Sequence, residues 1–162
     1  MIFSNYPEFI ERIYNKLIEL GIDANEIKID HIGYQASSHD DYDNKISEVK
    51  TSSTQVSENI VGGRRVSVFT IDTPFKYEDQ EFSVFEIFEP REGQDVNSNW
   101  EHVEFLVDGT LEDFISKYPT ISFDTSVMNR DEFPMLILHL GDGYRAKFPR
   151  KGVLEEVERQ IS

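Results

Sequence analysis

The order of elements in this chain predicts an α+β fold built of two similar halves, and three observations carry that prediction. A short phrase occurs twice: Asp30-His31-Ile32-Gly33-Tyr34 returns as Glu101-His102-Val103-Glu104-Phe105, acidic, His, β-branched, any residue, aromatic. A helix-like segment follows each copy, and further strands follow each helix. Between the halves, Pro90 to Asn99 gathers proline, glycine, asparagine and charge, the composition of a linker.

The elements follow in order. Phe9, Ile10, Ile13, Leu17 and Leu20 recur at helical spacing and predict a helix over 6–20, with Asn5 and Glu8 as a capping box and Gly21 as its stop. Residues 27–35 read as a strand, and Ser37-Ser38-His39-Asp40-Asp41 is the start of a helix running to Val49. Gln55 to Ile60, the pair Gly62-Gly63 and Arg65 to Ile71 read as a hairpin, and Phe82 to Phe88 as a further strand. The second half repeats the plan. Strand Trp100 to Val107 leads through a Thr110 cap to helix Leu111 to Tyr118, and an irregular stretch runs on to Asp131. Strands Pro134 to Leu140 and Tyr144 to Phe148 then flank Gly141-Asp142-Gly143, and a helix over Val153 to Ile161 closes the chain. The expectation is one domain over 1–162, with module one at 27–89 and module two at 99–149.

Composition excludes whole classes of function. Sixteen Lys and Arg against 31 Asp and Glu give a net charge of −15, which repels nucleic acid and anionic membrane surfaces. No run of about 20 apolar residues is present to span a bilayer. The N-terminal residues lack the basic start and apolar core of a signal peptide, so a cytoplasmic location is expected. With no cysteine, neither disulfides nor thiolate ligands are available. Nucleic acid and membranes are therefore not expected partners, whereas a small-molecule ligand or substrate is; the oligomeric state has no sequence signal.

Strand phasing selects a site. With strict alternation, Ile27, Ile29, His31, Gly33 and Gln35 share one face, as do Trp100, His102, Glu104 and Leu106. Val84, Glu86 and Phe88 point one way on a strand where Glu86 is the lone ionisable group in seven residues. A carboxylate among apolar neighbours needs a cation or hydrogen-bond donor to meet it. A divalent ion held with His31 and His102 supplies one, and two His with one carboxylate suit Zn, Fe, Mn or Ni while leaving positions for substrate. Each residue also has a plainer role. Glu86 pairs equally well with Arg145 or Lys147, and Glu104 suits a ligand, an acceptor for an imidazole N–H or a solvated side chain. His39 reads as exposed, His139 as structural.

Glu58-Asn59-Ile60-Val61-Gly62-Gly63-Arg64, Phe82 to Glu86, Trp100 to Glu104 and Asp142-Gly143-Tyr144-Arg145-Ala146-Lys147-Phe148 resemble the bacterial YecM family. That family falls in the glyoxalase/bleomycin-resistance/extradiol-dioxygenase group, the vicinal oxygen chelate superfamily. The resemblance covers about residues 8–158. It implies paired βαβββ modules forming a curled mixed sheet around a shared pocket, with ligands from the first and fourth strands of each module. Carried onto this sequence, these positions are His31, Glu86 and His102, the residues that phasing selects. The fourth position holds Lys147, which binds no metal, leaving three ligands or Glu104 as a substitute. The reading is a divalent-metal enzyme (isomerase, lyase or oxygenase chemistry) chelating a substrate through adjacent oxygens. Glu104 is then a base and Lys147 a holder of negative charge. Two alternatives stand beside it: a non-catalytic binding protein of the bleomycin-resistance type, and a vestigial site with histidines merely hydrogen-bonded in the core.

Overall fold

Helix α1, Tyr6–Glu19, buries Phe9, Ile10, Ile13, Tyr14 and Leu17 against the sheet, the face that helical spacing predicts. The computed structural model to which it belongs describes residues 2–161, with the side chains of 160 and 161 outside the description. The capping box is not formed. Asn5 makes no side-chain cap, and Pro7 instead sits in the first turn, where a missing N–H costs nothing. At the other end Gly21 has φ +88°, its N–H reaching Ile18 O at 3.0 Å, while Ile22 N–H reaches Leu17 O at 2.9 Å. Leu20, read as part of the apolar stripe, is in the C-cap and exposed.

The sheet has seven strands: β1 Lys28–Gln35, β2 Ser53–Val61, β3 Arg64–Tyr77, β4 Gln80–Phe88, β5 Asn99–Leu106, β6 Met135–His139 and β7 Arg145–Pro149. Their order is β2-β3-β4-β1-β5-β7-β6. Within each module the first and last strands pair in parallel, β1 with β4 and β5 with β7, and β1 pairs antiparallel with β5 at the junction. Parallel neighbours require a crossover. Its helices are α2, His39–Val49, capped by Ser38, and α3, Leu111–Lys117, capped by Thr110. Gly62 and Gly63 both have positive φ, the two-residue hairpin turn predicted between β2 and β3.

Module two departs from a full βαβββ plan. After α3, the place of a strand is taken by one isolated bridge, Asp124 to Ile137. Asp124 turns its carboxylate onto Ser126 N–H at 3.0 Å, a local turn that ends pairing there. Strand β3 runs past the predicted Ile71 to Tyr77, with an irregularity between Thr70 and Phe75. Helix α4, Val153–Ile161, lays Val153 and Val157 against Val68 and Val84 on the sheet face away from α1. No helix among the described residues is long and apolar enough to cross a membrane.

Strict alternation holds for Val84, Glu86 and Phe88 but breaks once on each of β1 and β5. Ile29 faces Phe105 and His31 faces Glu104, so Asp30 is an extra residue; Gly33 faces His102 and Tyr34 faces Trp100, so Glu101 is another. Each is a β-bulge. Ile29 and Trp100 therefore belong to the core with Phe9 and Phe105, not to the face of the histidines, which corrects the predicted phasing.

Candidate metal centre

Neighbouring side chains of a regular strand point to opposite faces, so a carboxylate cannot bond the imidazole next to it. The two bulges remove that restriction. Asp30 Oδ2 lies 2.7 Å from His31 Nδ1, and Glu101 Oε1 lies 3.0 Å from His102 Nδ1. Each carboxylate is itself anchored. Asp30 accepts the Val153 N–H at 2.9 Å, from the first residue of α4. Glu101 accepts from the Arg145 guanidinium at 3.0 Å (Nε) and 2.5 Å (Nη2). Burial works against ionisation of both acids, but hydrogen bonds from the imidazoles, together with Val153 N–H and Arg145, hold both below the ordinary carboxylate range. With Nδ1 committed to a carboxylate, each ring turns Nε2 inward, the arrangement of a metal-ligating histidine.

Those Nε2 atoms converge with two carboxylates. His31, Glu86, His102 and Glu104 each offer one ligand atom, all within 4.8 Å of one another. Glu86 Oε1 is 2.6 Å and Glu104 Oε2 3.0 Å from His31 Nε2. His102 Nε2 is 4.0 Å from Glu86 Oε2 and 3.8 Å from Glu104 Oε2. Both Nε2 atoms are buried; His102 Nε2 has no hydrogen-bond partner, whereas His31 Nε2 is within bonding distance of both carboxylates. Burial raises the cost of ionising Glu86, but the charge and hydrogen bond of His31 outweigh it and bring its pKa to about 2. Burial likewise opposes protonation of His31, yet Glu104 and Glu86 hold it well above its ordinary value. His102 moves the other way, pushed down by burial and by Lys147.

Gly33 shapes the cradle. It faces His102 across the strand pair, and a Cβ there would stand 2.2 Å from His102 Cε1. Phe88 stacks on the same ring, centroids 5.5 Å apart. Two imidazoles and two carboxylates are a donor set for a borderline divalent ion such as Zn, Mn, Fe or Ni. All three residues predicted as ligands are brought together, and Glu104 joins them. Lys147 faces Glu104 in the register of β5 and β7, outside the donor cluster, with burial lowering its pKa. Arg145, predicted as an alternative partner of Glu86, pairs instead with Glu101. His39 contacts Glu89 and His139 contacts Asp124, away from the cluster. Asp30, Glu101 and Gly33 were absent from the predicted site. The signal for the two acids was present, since an acidic residue opens each copy of the repeated phrase.

Glu86, His102, Glu104 and Lys147 line one cavity, about 870 Å³ with its mouth, while His31 lies beneath at 0% exposure.

Residues 1–137 match the family model described as YecM protein. The chain belongs to the YecM family. It is 25% identical over 111 residues to Protein YecM of Escherichia coli K12, a match covering 68% of this chain and 59% of that one. An uncharacterised Haemophilus influenzae protein is 25% identical over 99 residues, 61% of this chain and 52% of the other. The match thus spans under two thirds of the length of either relative. A solved structure described as Structural Genomics, Protein EC4020 superposes with a TM-score of 0.82 at 24% identity, covering 98% of this chain and 91% of that one. A Streptomyces coelicolor methylmalonyl-CoA epimerase variant, in complex with 2-nitronate-propionyl-CoA, gives 0.56 at 15% identity over 75% and 94%. These likenesses show the fold alone.

Proposed function

We propose that this chain is a divalent-metal-dependent enzyme acting on a small substrate that presents two adjacent oxygens. Its donor set is His31, Glu86, His102 and Glu104. One observation carries the reading: two buried imidazole Nε2 atoms, each oriented by its own carboxylate, converge on the carboxylates of Glu86 and Glu104, and His102 Nε2 has no hydrogen-bond partner there. A core held by hydrogen bonds alone would not leave His102 Nε2 unmatched. A bound divalent ion would supply Lewis-acid stabilisation of charge developing on substrate oxygen. The chain's own groups do the rest. Glu104 belongs to both the donor cluster and the cavity wall, and takes or returns a proton at the substrate carbon beside those oxygens. Lys147, opposite Glu104, meets the negative charge that this leaves. His31 and His102 are held rigid by Asp30 and Glu101, so the donors need little rearrangement on loading. The fold neighbour crystallised with a CoA ester supports a small-molecule substrate.

Elemental analysis after purification without chelator, followed by calorimetric titration of the stripped protein with zinc or manganese, tests the metal assignment. One ion per chain is the expected result, and no uptake of any divalent ion would sink it. Deuterium exchange into a panel of small carbonyl acids then tests turnover. Tight binding without exchange would leave a sequestering protein.

A further inference from the structure

The chain carries nearly two acids for every base, 31 against 16, so a cation that lacks an acidic partner is not short of candidates. Yet Arg64, Arg91, Arg130 and Lys147 line the cavity beside the donor cluster, and none is in an ion pair among the described residues. Arg64 donates to a backbone carbonyl, Glu89 O at 3.3 Å, and lies 4.6 Å over the Phe88 ring; Arg130 donates to Phe133 O at 3.0 Å. Arg91, exposed, reaches over Gly62, whose Cβ would be 3.5 Å from a guanidinium nitrogen. Burial and the neighbouring charges of Arg91 and Arg145 bring the Arg64 pKa down to about 10, although Glu101 and Glu86 pull the other way. A bound anion would further relieve the repulsion among these like charges. Between these cations the wall is apolar, with Val66, Val127, Phe133 and Ile137.

Resting on the metal reading above, we infer that the substrate is a small organic anion. Its apolar body carries a carboxylate or phosphate that Arg64 and Arg91 hold at one end of the cavity, while its reacting oxygens face the His–Glu cluster and Lys147. Guanidinium forks suit either oxyanion through paired N–H bonds. Phe88 joins the two ends, since Arg64 lies over a ring that also stacks on His102. An anion drawn to Arg64 is thereby placed beside the metal donors.

The test compares hexanoate, hexyl phosphate and neutral hexanol, titrated into zinc-loaded and chelator-stripped protein by calorimetry. At least one anion should bind tenfold or more tighter than hexanol in either form, from charge-assisted bonds. The tighter of the two names the group. Arg64→Gln with Arg91→Gln should abolish that preference while zinc affinity is unchanged. Should the double variant unfold, Arg91→Gln alone, at an exposed position, should lose part of the preference. Equal binding of hexanol and both anions overturns the inference, as does a preference that survives in the folded variants. The two readings fail separately. Zinc uptake without anion preference rejects the anionic substrate and keeps the metal; anion preference without zinc uptake rejects the metal and leaves the anion site standing.

Discussion

The two copies of the acidic-His phrase build the same device and anchor it differently. In module one, Asp30 holds His31 and is held by a backbone N–H of α4. In module two, Glu101 holds His102 and is held by the Arg145 guanidinium. His31 sits pinched between Glu86 and Glu104 within 3.0 Å, whereas His102 stands 3.8 Å or more from both. The repeat thus keeps the orientation of each imidazole, and the halves differ in what surrounds it. Anchoring by a neutral amide ties His31 to the docking of the last helix, while anchoring by a charged pair ties His102 to β7.

The largest expected effect tests whether both copies act in one site. His31→Ala and His102→Ala should each abolish stabilisation by zinc or manganese, which in the parent protein follows mass action at about 2.7 kcal/mol with free ion a hundredfold above its dissociation constant. For a chain of this size that is several degrees of melting temperature. His39→Ala and His139→Ala should keep the full response. A metal response lost with His39 and kept with His31 would mean that the duplicated phrase only packs the sheet.

Gly33→Ala breaks the comparison on one side. The new methyl needs the space of the His102 ring, and its closest approach, 2.2 Å, cannot be relieved without moving that ring. His31 is untouched. Loss of most of the metal affinity is expected, together with roughly 1–3 kcal/mol of stability from overpacking. A variant that bound zinc as the parent does would show that His102 is not needed where it stands.

The anchors come next. Asp30→Asn and Glu101→Gln should each weaken metal affinity about 10- to 100-fold, since an amide orients an imidazole less well than a carboxylate. Their effects on folding should differ. The Asp30→Asn variant retains a side-chain oxygen for the Val153 N–H, whereas Glu101→Gln leaves Arg145 without its charged partner, at a cost of roughly 1–3 kcal/mol. Urea melts in the absence of metal measure that difference. Equal destabilisation would erase the asymmetry between the two anchors.

The bulges also explain what the sequence could and could not reveal. Helix α1, the caps Ser38 and Thr110 and the Gly62-Gly63 turn depend on residues a few positions apart, and all are legible. So is convergence of His31, Glu86 and His102, because an isolated charge on an apolar strand needs a partner. A period of two assumes that every residue flips to the other face, and one extra residue reverses everything beyond it. That assumption placed Ile29 and Trp100 beside the histidines and hid the roles of Asp30 and Glu101. Nor does local pattern reveal the basic wall of the cavity, because Arg64, Arg91, Arg130 and Lys147 come from separate segments that only the curled sheet brings together.

The smallest effect on the site sharpens the contrast from outside it. Glu89 is a buried carboxylate just beyond β4 that orients neither clustered histidine. It accepts from Arg65 N at 2.9 Å and Arg65 Nε at 2.7 Å, with His39 Nδ1 at 2.7 Å. Burial opposes its charge, but the Arg65 bonds prevail and lower its pKa from 4.5 to about 2. A carboxylate depressed in the folded state contributes stability that is present above its unfolded value and is lost as pH falls through the folded one. Glu89→Gln should therefore cost on the order of 2 kcal/mol at neutral pH. That penalty should shrink steadily as pH falls from about 4.5 towards 2, where the parent protein loses the same charge. Metal affinity at pH 7 should match the parent, because no bond links Glu89 to either bulge. A large loss of metal binding here would show that any buried carboxylate near β4 supports the site, and the special place of Asp30 and Glu101 would be gone.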